Sequence, residues 1–202
     1  MKSTNTIFSN YGTTVFTVMS QLAVDHNAIN LGQGFPDQDG PLDIRQIAAD
    51  AMINGPNQYP PMMGVNELRQ AVANANDRFY NLHIDWRTEV MVTSGATEAL
   101  ANCILGLINP GDEVVLIEPL YDSYLPMVRR AGGIAKIVRI EPPAWELPKE
   151  RLAAAFSDKT KLILLNSPHN PAGKVFNLSE LSFIDDLVKK HDVYAICDEV
   201  YE

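Results

Sequence analysis

The alternation of strand-like and helix-like segments from about Glu89 onward constrains the fold of this 202-residue chain most strongly. Short apolar runs are followed by longer amphipathic runs, several of which end at Gly or Pro. We predict strands at 89–93, 113–117, 134–140, 161–165 and 193–197, and helices at 96–109, 121–130, 149–156 and 179–191. Strands joined by helices favour a mostly parallel sheet with helices on both faces, so we predict an α/β fold.

The first part of the chain has a different pattern. Residues 15–28, 42–54 and 64–80 are predicted helices, separated by two loops rich in Gly and Pro at 31–37 and 58–61. Apolar residues recur at helical spacing in the third helix. We predict that residues 1–45 form an N-terminal arm contributing to a small domain, and that residues 46–202 form a large α/β domain.

Composition excludes several classes of protein. With 46% hydrophobic and 20% charged residues, the chain is not intrinsically disordered. A net charge of −9 argues against a nucleic-acid partner, which would require a basic surface. No apolar leader and no membrane-length apolar run is visible, so no membrane association is expected and the cytoplasm is the default location. The four histidines lack metal-ligand spacing, and Cys103 and Cys197 are predicted to be reduced and buried.

Chemically useful groups follow four of the predicted strands. These groups are the segment 94–97 (Ser-Gly-Ala-Thr) at a helix start, Tyr121, the amides Asn166 and Asn170, and the carboxylate Asp198. In a doubly wound sheet the carboxyl ends of the strands face one crevice. The sequence therefore predicts that these groups meet in a single site.

Each group has a physical use. Backbone N–H groups and the helix dipole at 94–97 can hold a phosphate, and Tyr121 can stack on a flat ring. Asn166 and Asn170 can bond a phenolic oxygen or a carboxylate. Asp198 follows an apolar strand and is reasonable there if it pairs with a cation such as a protonated ring nitrogen. Together these properties describe a site for pyridoxal phosphate.

Simpler interpretations exist for each residue alone. The segment 94–97 can be a helix cap, Tyr121 can be packing, the two asparagines can be turn residues, and Asp198 can be an N-cap. A nucleotide-binding Rossmann domain is a weaker alternative, because Gly32-x-Gly34 lacks the third glycine and the following helix start. The coincidence of all four groups at successive strand ends favours the cofactor site.

In its motifs the chain resembles the class I/II aminotransferases, pyridoxal-phosphate enzymes of fold type I, along essentially its whole length. Within them it is most similar to the kynurenine/glutamine/methionine aminotransferase group. The motifs that carry the resemblance are 30–37 (Asn-Leu-Gly-Gln-Gly-Phe-Pro-Asp), 58–60 (Gln-Tyr-Pro), 94–99 (Ser-Gly-Ala-Thr-Glu-Ala), 169–173 (His-Asn-Pro-Ala-Gly) and 198–201 (Asp-Glu-Val-Tyr).

The resemblance implies roles for individual residues. The cofactor phosphate would be bound by Gly95, Ala96 and Thr97, and by Tyr59 from the partner subunit of a homodimer. Tyr121 would stack on the ring, while Asn170 and Tyr201 would contact the ring oxygen, with Asn166 beside them. Asp198 would pair with the ring nitrogen. The substrate carboxylate would be bound by the backbone of Gly34 and by Asn170.

The implied reaction is transamination between an amino acid and a 2-oxo acid. Phe16, Phe35 and Tyr59 could form an aromatic pocket, which suits large neutral or aromatic substrates. The candidate substrates are glutamine, methionine, kynurenine and a succinylated diamino acid. Core packing is the alternative role for Phe16.

The family's Schiff-base lysine and the arginine for the substrate carboxylate lie downstream of the motif at 198–201. None of the lysines in this chain matches the catalytic position, so we predict no catalytic residue here. We expect the 202-residue chain by itself to be inactive, with an incomplete fold that exposes apolar surface. Two further alternatives are a pyridoxal-phosphate-dependent β-lyase acting on cystathionine or cysteine conjugates, and a non-catalytic aminotransferase-like binding protein.

Overall fold

The computed structural model describes residues 2, 5–34, 36 and 38–202, and its contacts divide the chain into two compact units. Residues 13–93 form one, called here the N-terminal unit, and residues 1–12 with 94–202 form the other, called the sheet unit. The predicted domain boundary at residue 45 stays a prediction.

The N-terminal unit consists of three helices and their connecting loops. The helices are α1 (Val15–Asp25), α2 (Leu42–Asn54) and α3 (Asn66–Tyr80), close to the predicted segments. Thr14 caps α1 by accepting a hydrogen bond from the Thr17 N–H at 3.3 Å, which satisfies one of the amides that a helix start leaves unpaired. The apolar residues Leu68, Val72 and Phe79 of α3 are exposed.

The predicted strand at 89–93 is wrong for this structure. A strand is held by a neighbouring strand, whereas here the Val90 carbonyl accepts from Nε of the buried Arg69 at 2.9 Å. The Val92 N–H donates to the Met63 carbonyl at 3.0 Å. Helix and loop groups of the N-terminal unit therefore take the hydrogen bonds that a sheet would have provided.

The sheet unit is a parallel sheet with helices on both faces, as predicted. After a short 3₁₀ turn (Phe8–Asn10), its elements in chain order are α4 (Gly95–Leu107), β1 (Glu113–Glu118), α5 (Tyr124–Arg130), β2 (Ile134–Arg139), α6 (Lys149–Ala154), β3 (Thr160–Asn166), α7 (Leu178–His191) and β4 (Tyr194–Asp198). The strands lie in the order β2-β1-β3-β4, and every neighbouring pair is parallel. In the described part of the chain no helix is long and apolar enough to cross a bilayer.

Strand alternation sends the side chains of the two central strands into two cores. Val115 and Ile117 of β1 join Ile163 and Leu165 of β3 in the core beneath α6 and α7. The intervening residues point the other way, and with side chains from α4 and α5 they form the second core; these residues are Val114, Leu116, Leu162 and Leu164. Burial on both faces explains why β1 and β3 are continuous apolar runs.

Helix α7 begins one residue before the predicted range, and its N-cap is Asn177. The Asn177 side chain accepts from the Glu180 N–H at 3.0 Å, and the Glu180 carboxylate accepts from the Asn177 N–H at 3.0 Å. This reciprocal arrangement is a capping box. It fixes the entry to α7 directly after the loop that follows β3.

The prediction that both cysteines are buried is wrong. Cys103 and Cys197 are free and exposed, and both line an apolar groove between α4 and β4. Exposed apolar side chains in both units, including Ile29, Leu31 and Val200, agree with the expectation that this chain exposes apolar surface.

Replacing Leu164 by alanine tests whether the two-sided sheet is the stable core. Leu164 is 2% exposed, so Leu164→Ala is expected to lower the free energy of unfolding by about 2–5 kcal/mol. Leu178 is 81% exposed at the start of α7, and Leu178→Ala should change it by less than about 0.5 kcal/mol. Urea denaturation followed by circular dichroism makes the comparison, and equal losses would contradict this assignment of the core.

Candidate active site

The predicted crevice exists at the carboxyl ends of β3 and β4, beside the first turn of α4. A cavity of about 250 Å³ opens there. Seven of the predicted site residues line it: Ala96, Thr97, Tyr121, Asn166, Asn170, Asp198 and Tyr201. Leu100, Tyr124 and Val200 complete the lining. Residues spread over more than 100 positions of sequence thus meet at one edge of the sheet.

Asn166 ties the ends of the two strands together. It stands opposite Asp198 in the β3–β4 register and is 3% exposed. Its Nδ2 donates to the Asp198 carbonyl at 2.8 Å, and its Oδ1 accepts from the Asn170 N–H at 2.6 Å. Buried amides need such partners, because an unpaired one would cost about 1–3 kcal/mol. Asn166 therefore positions the two neighbouring site residues while bordering the cavity itself.

The carboxylate of Asp198 is held on both oxygens. Oδ2 accepts from the Tyr124 hydroxyl at 2.6 Å, and Oδ1 accepts from the Val200 N–H at 3.2 Å. Each carboxylate oxygen can accept a further bond, so the group keeps acceptor capacity for a ligand. Asp198 is thus a fixed, partly buried carboxylate at the end of β4.

Asn170 and Tyr201 meet across the mouth of the cavity. Asn170 Nδ2 donates to the Tyr201 hydroxyl at 2.8 Å, which joins the loop after β3 to the loop after β4. The loop is closed behind Asn170 by two bonds: His169 N–H to the Lys174 carbonyl at 2.8 Å, and Gly173 N–H to the His169 carbonyl at 2.7 Å. Gly173 has φ +67°, a conformation that favours glycine. An amide and a phenol are therefore presented together on a closed turn.

A buried ion pair anchors the same loop to α7. Lys174 Nζ lies 2.8 Å from Glu180 Oε1, and both side chains are about nine-tenths buried. The Leu147 N–H also donates to Oε1 at 3.0 Å. Burial alone would raise the pKa of Glu180, but the Lys174 ammonium and the amide donors of Asn177 and Leu147 outweigh it, so the pKa lies below its usual range.

The first turn of α4 supplies the predicted anion-binding groups. Amides in the first turn have no carbonyl within the helix to bond, and the helix dipole adds a partial positive charge. Gly95 has φ +78° as the chain enters the helix, and no atom lies within 4 Å of where a Cβ would stand. Glu98 accepts a hydrogen bond from the Ser94 N–H, which fixes the start of the helix. Ala96 and Thr97 then border the cavity with small side chains.

Tyr121 lies on the cavity wall and is half-buried. Its ring meets that of Tyr124 edge-on, with centroids 5.7 Å apart and planes at 60°. Burial raises the pKa of Tyr121, and the nearby Asp122, Tyr201 and Asp198 add to that effect. The ring is therefore a neutral surface beside a carboxylate.

The cavity in the sheet unit is not lined by Phe16, Gly34 or Tyr59, which belong to the N-terminal unit. Phe16 is half-buried on α1, Gly34 is exposed in the loop after it, and Tyr59 is 98% exposed between α2 and α3. Phe35 lies outside the described residues. The roles assigned to these positions stay predictions.

The cavity's chemistry fits a phosphorylated pyridine. One wall offers helix-start amides for a phosphate, another an aromatic ring, and the floor a carboxylate that can face a protonated nitrogen. The Asn170 amide and the Tyr201 phenol stand together, and both can donate to a ring oxygen. Among the described residues, no group of three or more His, Cys, Asp or Glu side chains is placed to hold a metal ion.

Comparison with known proteins decides the family. Residues 26–202 match the family described as aminotransferase class I and II. The chain belongs to the class I and II aminotransferases. Members of this family depend on pyridoxal 5′-phosphate, and the chain has their fold type I architecture.

Similar proteins carry several substrate names. The chain is 44% identical to the methionine aminotransferase of Escherichia coli, over 95% of this chain and 50% of that protein. It is 47% identical to a probable N-succinyldiaminopimelate aminotransferase of Mycobacterium tuberculosis, over 95% and 49%. It is 41% identical to a kynurenine–oxoglutarate transaminase of Dictyostelium discoideum, over 96% and 49%. The chain therefore spans about half the length of these relatives.

Solved structures agree with this result. The crystal structure of the E. coli methionine aminotransferase matches with a TM-score of 0.95 at 41% identity, over all of this chain and 53% of that one. The M. tuberculosis N-succinyldiaminopimelate aminotransferase matches with a TM-score of 0.94 at 46% identity, over 99% and 53%.

Sequence reasoning missed Tyr124 and Glu180. Tyr124 lies three residues after Tyr121, at the start of α5, where a second tyrosine could have been noticed. The pattern Asn177-x-x-Glu180 is a capping box and was readable in the sequence. The link from Glu180 to Lys174 had no local signal.

The Glu180 ion pair predicts a pH dependence of stability. Because its folded-state pKa is lowered, the carboxylate stabilises the fold above its unfolded-state pKa of about 4.3, and this contribution is lost as the pH falls through the lower folded-state value. Glu180→Gln should lower the free energy of unfolding by about 3–5 kcal/mol at pH 7, because Lys174 is left buried without its partner. The variant should also lose less stability as the pH falls, which flattens the acid limb of the plot of stability against pH. Denaturation from pH 3 to 8 measures both effects.

The matched control is Glu150→Gln, at an exposed carboxylate in the first turn of α6. This variant should change stability little and should leave the acid limb intact. The prediction fails if the two variants behave alike.

Proposed function

We propose that the complete protein catalyses transamination between an amino acid and a 2-oxo acid, using pyridoxal 5′-phosphate bound in the cavity of the sheet unit. The main support for this proposal is that a single cavity is lined by the first turn of α4 together with Tyr121, Asn170, Asp198 and Tyr201. Family membership supports the reaction class. When bound, the cofactor supplies an electron sink for the charge left by loss of the substrate's Cα proton.

The residues of the cavity have distinct proposed roles. Asp198 pairs with the ring nitrogen and favours its protonated state. Gly95, Ala96 and Thr97 hold the phosphate through backbone amides. Asn170 and Tyr201 donate to the ring oxygen, and Tyr121 covers one face of the ring. Asn166 keeps Asn170 and Asp198 in register, as its two short hydrogen bonds support.

The proposed substrate is a large neutral or aromatic amino acid of the methionine, glutamine or kynurenine type. The names of the methionine and kynurenine relatives support this class. The N-succinyldiaminopimelate relative supports an acidic alternative at similar identity. Gly34, Asn170 and Phe16 are the proposed substrate contacts, with the backbone of Gly34 directed to the carboxylate.

Two measurements test the reaction. The protein from its natural source, given L-methionine, L-glutamine or L-kynurenine, should form more than one equivalent of the corresponding 2-oxo acid per bound cofactor only when a 2-oxo acid acceptor is added. Asp198→Asn should lower kcat by about 10² or more, because a neutral amide no longer favours the protonated ring. Release of pyruvate from cysteine conjugates without an acceptor would instead indicate a β-lyase.

The 202-residue chain alone is expected to show no turnover. Among the described residues, those lining the cavity include no lysine, and Lys174 is bound to Glu180. Borohydride reduction of the natural protein followed by intact mass measurement locates the reacting lysine. A phosphopyridoxyl adduct within these 202 residues, or a natural mass of 22.3 kDa with full activity, would overturn this expectation.

We also propose a homodimer in which Tyr59 reaches the cofactor phosphate of the partner subunit. Support comes from the nearly complete exposure of Tyr59 and Met62, each 98% exposed in the loop between α2 and α3. Large side chains of this kind are common in interfaces.

A concentration series tests the dimer. Tyr59→Phe should weaken pyridoxal 5′-phosphate binding only at protein concentrations where sedimentation velocity shows a dimer, because the hydroxyl comes from the other subunit. Tyr80→Phe, at an exposed tyrosine of α3, is the control. A loss that is independent of concentration would place Tyr59 in its own subunit's site.

A further inference from the structure

Tyr124 is a buried phenol that contacts the predicted ring-nitrogen partner. It is the first residue of α5 and is 3% exposed. Its hydroxyl lies 2.6 Å from Asp198 Oδ2, although the two residues are 74 positions apart in the chain. Its ring packs in the core that includes Leu100, Ile104 and Val128. A well-packed ring thus carries its hydroxyl to the site.

The direction of this hydrogen bond is fixed by chemistry. A carboxylate can only accept, so the phenol must donate. Burial raises the pKa of Tyr124 well above its usual range, and the bond to Asp198 raises it further, so the hydroxyl keeps its proton. Such charge-assisted bonds are shorter and stronger than neutral ones, in keeping with the 2.6 Å separation.

The contact fixes the orientation of the carboxylate. With Oδ2 held by Tyr124 and Oδ1 by the Val200 N–H, rotation of the carboxylate would break at least one bond. A fixed plane is required if a ring N–H is to meet the carboxylate in a single geometry. The Tyr124 ring also lies edge-on against Tyr121, so one side chain braces both the carboxylate and the stacking surface.

We propose that Tyr124 is a positioning residue that sets the carboxylate of Asp198 for the ring nitrogen of the cofactor. This inference rests on the proposed function and deepens it. Tyr124 acts through Asp198 and Tyr121. The contribution of the ring nitrogen to cofactor binding then depends on the Tyr124 hydroxyl, which lies outside the motifs named above.

The test compares two probes that differ at one ring atom. Pyridoxine 5′-phosphate has the ring nitrogen but no aldehyde that could react with surface lysines. Its carbocyclic analogue carries C–H in place of that nitrogen. In fluorescence titrations of the complete protein freed of its cofactor, Tyr124→Phe should weaken binding of pyridoxine 5′-phosphate about tenfold or more and leave binding of the analogue unchanged.

One further substitution controls this result. Tyr194→Phe removes the same oxygen from an exposed ring on β4 and should change neither affinity. Equal affinities of Tyr124→Phe and the unaltered complete protein for pyridoxine 5′-phosphate would overturn the inference and leave the proposed function standing.

A ligand-free measurement separates the inference from the proposed function. Thermal unfolding is measured for Tyr124→Phe, Asp198→Ala and the double variant. The double variant should lower the midpoint temperature by less than the sum of the two single losses, because each single substitution already removes the shared hydrogen bond. Additive losses would overturn the contact. If the complete protein freed of its cofactor binds neither probe, the proposed function fails together with the cofactor half of the inference, and the unfolding cycle still decides whether Tyr124 holds Asp198.

Discussion

The pairing of β3 with β4, in which Asn166 stands opposite Asp198, is the constraint on which the site depends. A shift of one residue would turn every side chain of β4 to the other face of the sheet. The Asn166 side chain secures this register, because it donates to the Asp198 carbonyl and accepts from Asn170. The positions of the carboxylate, the amide and the phenol of Tyr201 therefore follow from a strand alignment that two buried cores maintain.

Most of the sheet unit could be predicted from local pattern, because its central strands are apolar runs and because Gly or Pro follows helices α4 and α5. Strands β1 and β3 combine strong β propensity with burial on both faces, so their identity needed no knowledge of partners. The segment at 89–93 has a similar composition but no strand beside it in this structure. Arg69 binds its backbone instead, and that depends on a side chain 21 positions away. Pairing is a tertiary property that composition alone does not determine.

The site was predictable to the extent that strand order places ligand groups at carboxyl ends. Asn166 and Asp198 were found in this way, and the motif resemblance extended the set to Tyr201. The contacts that support these site residues could not be predicted from the sequence. Tyr124 reaches Asp198 across 74 positions, and Lys174 reaches Glu180 from a different element. Long-range polar contacts of buried side chains have no periodic signature, so they could be found only in the structure.

The bonds around Asn166 also have a consequence for chemical ageing. Asparagine followed by serine is prone to deamidation, in which the backbone nitrogen of the next residue attacks the side-chain carbonyl. Here the Ser167 N–H donates to the Asp198 carbonyl at 3.2 Å, and the Asn166 amide is buried and bonded at both ends. The attacking atom and its target are therefore each held in place, and we expect the strand end that organises the site to resist this covalent damage.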